Sequence, residues 1–166
     1  MKPHRTAKYY YLKFIRLKGD PATLARGVAI GLFIGVTPTI PLHTILVILF
    51  AYLLRGNTIA ALLTSNIASN PLTFFPQYYL AWRIGNLITP YNLSWERIRV
   101  VLTALISDAG FNERIGSLGL LGHEAIIVML LGGCLLAFPI AVAGYFLSFN
   151  FFCTLEKKRC RKKLFK

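Results

Sequence analysis

The sequence predicts an all-α, polytopic integral membrane protein with broken or re-entrant helices and amphipathic interfacial helices. Three observations carry that prediction. Only 15% of the 166 residues are charged while 55% are hydrophobic, against roughly 25% charged in an ordinary soluble domain. The formal net charge of +13 is gathered at the two ends rather than spread over a surface. Between those ends, apolar runs are interrupted by proline and polar residues, and one late run is long enough to span a bilayer unaided. The chain divides into a basic amphipathic cytoplasmic segment (1–20), a membrane domain (21–153) and a basic cytoplasmic tail (154–166).

Thr6 to Leu17 sets Tyr10, Tyr11, Phe14 and Ile15 among Lys8, Lys13 and Arg16, a pattern suited to a helix lying on anionic headgroups. Gly19-Asp20-Pro21 makes a turn, and Asp followed by Pro is a helix start. From Leu24 to Val36 an apolar helix carries Gly27, Gly31 and Gly35 four residues apart, which lets another backbone approach one face closely. Thr37-Pro38-Thr39-Ile40-Pro41 ends it, and Leu42 to Leu54 follows as a second apolar helix. Each is about 20 Å long at about 1.5 Å per residue, short of the roughly 30 Å hydrocarbon core. Residues 24–54 are therefore expected to form a re-entrant hairpin, with Pro38 and Pro41 at its tip.

After the polar turn Arg55-Gly56-Asn57, residues 58–89 form a second interrupted unit. Thr58 to Ala68 is its short half, Ser69-Asn70-Pro71 the break, and Leu72 to Ile88 the longer half. Paired interrupted segments are a sequence pointer to a transporter site. Ser94 can cap an interfacial helix over 94–108, with Trp95, Ile98, Val101 and Leu102 on one face and Arg97 and Arg99 opposite. The strongest span covers 125–152 and contains Pro139. Both basic ends read as cytoplasmic, and the loop from Pro90 to Glu124, without a basic excess, as external. A hairpin, one broken crossing and one final crossing satisfy that topology.

No Asp or Glu lies between Leu24 and Ile88, which removes paired-carboxylate catalysis and carboxylate-bound metals from the apolar region. No catalytic residue is assigned, and an enzyme is not expected. His4, His43 and His123 lack companion ligands, and Cys134, Cys153 and Cys160 form no C-x-x-C pair, so neither a metal nor another cofactor is expected. The basic residues flank membrane segments instead of alternating with aromatics on a soluble module, which argues against nucleic acid. An arginine near a membrane core is costly unless it snorkels or meets an anion. That singles out Arg26, Arg55 and Arg83: snorkelling to the interface accounts for Arg26 and Arg55, while Arg83, inside the longer half, points to an anion. The candidate ligand set is Arg83, Asn70, Thr73 and Gln77, with Asn66, Arg55 and His43 beside it. Gly27, Gly31, Gly35, Pro38, Pro41 and Pro71 are assigned to packing and to the breaks.

Arg26-Gly27-Val28-Ala29-Ile30-Gly31, His43-Thr44 after the proline tip, Leu54-Arg55-Gly56-Asn57, Asn70-Pro71-Leu72-Thr73, Tyr78-Tyr79 and Arg83-Ile84-Gly85 carry a resemblance across about residues 20–150. Together they resemble a bacterial family of small membrane proteins known as a domain of unknown function, number 2062. The resemblance implies the bacterial cytoplasmic (inner) membrane and no established activity. Family members joined to glycosyltransferase domains imply a link to lipid-linked sugars.

These residues lead to one expectation, a protein that binds or translocates an amphipathic, anionic lipid or lipid-linked molecule. Its partners would be membrane lipids and their anionic headgroups, with a second copy or a membrane enzyme beside it. The rival is a non-transporting membrane scaffold that serves an envelope-biosynthesis enzyme.

Overall fold

A computed structural model describes residues 12–39, 42–91, 93–96, 98–99 and 122–164. Most of the expected interfacial helix over 94–108, the first half of the basic N-terminal segment, and Pro41 lie outside the described residues. Among those described there is no strand, so the all-α expectation holds. The helices are α1 (Pro21–Val36), α2 (His43–Leu53), α3 (Thr58–Ala68), α4 (Pro71–Ile88) and α5 (Gly122–Leu164).

Local chemistry sets the ends of these helices. The Asp20 side chain accepts from the Thr23 N–H at 3.0 Å and Pro21 occupies the first turn of α1, where its missing N–H costs nothing. The α2 terminus closes on itself. Gly56 N–H donates to the Ala51 carbonyl at 2.8 Å and Arg55 N–H to Tyr52 at 3.2 Å, while Arg55 takes a left-handed φ of 51°. That is the pattern of a Schellman stop, with arginine where glycine usually sits. Asn57 then caps α3 by accepting from the Ala60 N–H at 2.9 Å.

The direction of each helix follows from what it touches. Gly27, Gly31 and Gly35 of α1 seat in order against Asn57 and Ala60, Ala61 and Thr64, then Ser65 and Ala68. The two helices therefore run parallel, and a 2.9 Å bond from Asn57 N–H to the Thr23 carbonyl ties their starts together. Helix α2 returns antiparallel. Val47 and Ala51 pack with Ile30, Ile34 and Ala61, and the Leu54 carbonyl comes within 3.5 Å of the Arg26 guanidinium. Helix α5 runs against α1, pairing Phe152 with Leu24, Gly144 with Leu32 and Gly133 with Pro38. Helix α4 is antiparallel to α5 beyond that point, where Gly85 meets Val128 and Gly132 meets Ala81 and Gly85.

The α1–α2 hairpin thus reaches about halfway along α5 and turns back. The α3–α4 pair starts beside the hairpin, breaks where the hairpin ends, and continues along the rest of α5. At 16 residues α1 is about 24 Å long. Among the described residues, one helix, over His123–Arg161, is long and apolar enough to cross a membrane. Helix α5 also runs without interruption through 154–164, the segment expected as a tail. The reason is local packing: Phe152 and Leu155 lie against Leu17 and Leu24, and the Arg159 guanidinium donates to the Leu17 carbonyl at 3.0 Å and to the Ile15 carbonyl.

Candidate functional site

The polar residues of the interrupted segments collect at one level of the molecule, where the hairpin tip and the α3–α4 break meet. Breaking a helix frees its last carbonyls and the next helix's first N–H groups, and each needs a partner when water is excluded. The sequence supplies them. Ser69 Oγ donates to the Gly35 carbonyl at 2.9 Å, joining the ends of α1 and α3. Thr73 Oγ1 and Gln77 Nε2 both donate to the Ala68 carbonyl, at 2.8 Å and 3.0 Å, so two side chains of α4 satisfy the last carbonyl of α3. The Asn70 carbonyl accepts the Thr73 and Phe74 N–H groups at 2.9 Å and 3.0 Å, which starts α4 with Asn70 as its cap residue and Pro71 first in the helix.

On the hairpin side of the same belt, Thr37 Oγ1 donates to the Phe33 carbonyl at 2.7 Å. Residues 133–134 of α5 lie against Thr37 and Pro38. Thr39 Oγ1 lies 3.4 Å from His43 Nδ1, and His43 Nε2 is buried with no hydrogen-bond partner among the described residues. Two members of the belt face outward. Asn66 is exposed, its amide donating to the Leu62 carbonyl at 2.8 Å, and Asn70 is exposed beside it.

The structure brings Asn66, Asn70, Thr73, Gln77 and His43 to this belt and leaves both arginines outside it. Arg55 is exposed at the end of α2, at the opposite end of the hairpin from the tip. Arg83 is exposed on α4. It lies six residues beyond Gln77, about 9 Å along the axis and about 120° around it. Ala81, Phe74 and Tyr78 form the buried side of α4, and Arg83 makes no hydrogen bond or ion pair with the described residues. Beside it in the chain, Tyr79 and Trp82 stand with Trp95 at ring-centroid separations of 5.2–5.5 Å. Trp82 Nε1 and Asn86 Nδ2 both donate to the Leu93 carbonyl, at 2.9 Å and 3.0 Å. Among the described residues no cluster of His, Cys, Asp or Glu could hold a metal ion.

Two grooves lie away from the belt. One, of about 480 Å³, lies between α1, the end of α2 and α5, lined by Ala29, Ile30, Leu54, Val142, Tyr145 and the Arg26 side chain. The other, of about 810 Å³, lies at the basic end between residues 15–24 and the last turns of α5. Both are made by helices far apart in sequence. The only local hint was the density of cations at each terminus.

No curated protein and no solved structure matches this chain. A family model does match, over residues 4–161. The chain therefore belongs to the bacterial family described as "Uncharacterized protein conserved in bacteria (DUF2062)".

Proposed function

We propose that this chain is a non-enzymatic protein of the bacterial inner membrane that binds or translocates an amphipathic, anionic lipid or lipid-linked molecule. The observation that carries the reading is the polar belt. Exposed Asn66 and Asn70 sit where the hairpin tip meets the α3–α4 break, at a level where Leu42, Ile45 and Phe138 are 49%, 63% and 64% exposed. Exposed apolar surface of that extent suits lipid contact. Two exposed polar residues at one level of an otherwise apolar surface suit the passage of a headgroup.

In this reading α1–α2 is a re-entrant hairpin, α3–α4 crosses as a broken helix and α5 crosses back. Both termini are then cytoplasmic, in keeping with the basic residues at each end. Arg83 contacts headgroups of the outer leaflet, because α4 carries it past the belt toward the aromatic cluster of Tyr79, Trp82 and Trp95. Tryptophan and tyrosine favour that interface.

The test is reconstitution in liposomes carrying a trace of fluorescent phosphatidylglycerol, with inner-leaflet probe counted as it becomes accessible to a membrane-impermeant quencher. Flux should exceed that of protein-free vesicles, and Asn66→Leu should reduce it several-fold while the thermal midpoint stays in place. Flux equal to protein-free vesicles overturns translocation, and absence of lipid retention as well leaves the scaffold role.

A further inference from the structure

The groove at the basic end has an arrangement distinct from the belt. Its floor is apolar: Leu24 from α1, with Phe152 and Leu155 from α5. Its rim is cationic, with Arg16, Lys18 and Arg159 against one carboxylate, Glu156, among the described residues that line it. The three cations do different work. Arg159 donates to the carbonyls of Leu17 and Ile15, so it holds residues 15–17 against α5 and builds the groove wall. Neutral carbonyls leave its charge uncompensated, so it still contributes to the potential at the mouth. Arg16 and Lys18 are exposed and make no hydrogen bond or ion pair with the described residues. Their charge is available to a ligand.

An electropositive mouth above an apolar floor is complementary to a molecule with an anionic head and a hydrocarbon tail. Leu155, Phe151 and Leu147 follow at four-residue spacing on α5, the last two 38% and 72% exposed, so a chain lying on Leu155 can run on along that helix. We propose that this groove is a binding site for an anionic phospholipid of the cytoplasmic leaflet, with the phosphodiester held by Arg16 and Lys18 and an acyl chain on half-buried Ile15 and Leu155, above the buried Leu24 and Phe152. The assignment rests on the membrane placement proposed above and names the ligand class at the cytoplasmic end. It supplies a docking point for headgroups at the foot of the hairpin, about 20 Å from the belt.

The experiment uses the full-length chain in a neutral detergent with equal phosphatidylglycerol and phosphatidylcholine, and counts retained lipid by native mass spectrometry. Wild type should retain phosphatidylglycerol preferentially. The double variant Arg16→Gln, Lys18→Gln should bind it about twenty-five-fold more weakly, since each cation near a headgroup is worth about a factor of five. Both side chains are exposed, so helicity and thermal midpoint should not change. The control Lys157→Gln, Lys158→Gln removes the same charge from the same end but from outside the groove, and should alter retention less than twofold. Soluble glycerol phosphate at millimolar concentration should not displace the lipid, which separates a lipid from a free phosphate as the ligand.

Unchanged retention in the groove variant overturns the site. Equal losses in both double variants overturn it too, because binding would then follow net charge. Displacement by glycerol phosphate overturns the assignment of a lipid chain to the floor. Lipid flux in liposomes is read separately: retained phosphatidylglycerol without flux supports this site and counts against translocation alone.

Discussion

Two close-packed seams hold the molecule together, and they are built differently. Along α1–α3 every glycine belongs to one helix. Gly27, Gly31 and Gly35 form a stripe, and the partner answers with small side chains at the same four-residue spacing, Ala60, Thr64 and Ala68. Along α4–α5 the glycines come from both helices. Gly85 receives the Val128 carbonyl, and Gly132 receives the Ala81 carbonyl and the Gly85 N–H. The first seam is a parallel contact between helices separated by α2, and the second an antiparallel contact between α4 and α5. Similar backbone proximity is reached by a periodic pattern in one case and by an unrepeated coincidence of two positions in the other.

The difference in what else supports each seam orders the expected effects of breaking them. Helix α3 also packs on α2, and α1 also packs on α5. For α4, α5 is the described long helix in extensive contact, with Trp95 and Ile98 packed on its other side. Gly132→Leu should therefore cause the largest loss, because the new side chain meets backbone on α4 and opens the seam through which α4 joins the other long helices. A collapse of purified yield and of the thermal midpoint is expected, with a destabilisation above about 4 kcal/mol. Gly31→Leu should cost about 3 kcal/mol, since the overlap with the Ala61 carbonyl and Thr64 forces α1 and α3 apart while their other contacts survive. Equal thermal losses in the two variants would show that support from neighbouring helices does not matter.

The belt between the seams predicts a smaller effect. Gln77→Leu removes one of two donors to the Ala68 carbonyl and leaves Thr73 in place. About 1 kcal/mol should be lost. Gln77→Leu combined with Thr73→Val should lose more than the sum of the single losses, because only then is the carbonyl stripped of both side-chain donors. A double-mutant cycle on chemical denaturation measures this, and strict additivity would mean that the two donors do not share one acceptor in solution.

The smallest effect is expected at Arg55. Its left-handed φ of 51° suits glycine better than any other residue. Arg55→Gly should leave the midpoint unchanged or raise stability by up to about 1 kcal/mol, and lipid retention should be unaffected. A loss of lipid retention in Arg55→Gly would return Arg55 to the ligand set.

The amino-acid sequence by itself determined the helices and the places where they stop. Those features are local: Asp20-Pro21 starts α1, Ser69-Asn70-Pro71 interrupts the second unit, and the four-residue glycine spacing marks a face before its partner is known. The family was legible for the same reason, in short runs such as Asn70-Pro71-Leu72-Thr73. Tertiary structure decided what those features meet. The sequence shows that Thr73 and Gln77 are polar residues near a break, but only the fold shows their donors spent on the Ala68 carbonyl. It places Asn70 near Arg83 in the chain, but the turn of α4 carries Arg83 to another face. Gly132 gave no periodic signal, since its partner Gly85 lies on a separate helix. The groove at the basic end needs residues 15–24 and 152–160 together, and that meeting depends on Arg159 reaching the carbonyls of Ile15 and Leu17. Local backbone preference is written in consecutive residues, whereas the pairing of distant surfaces depends on which faces the packed helices leave available.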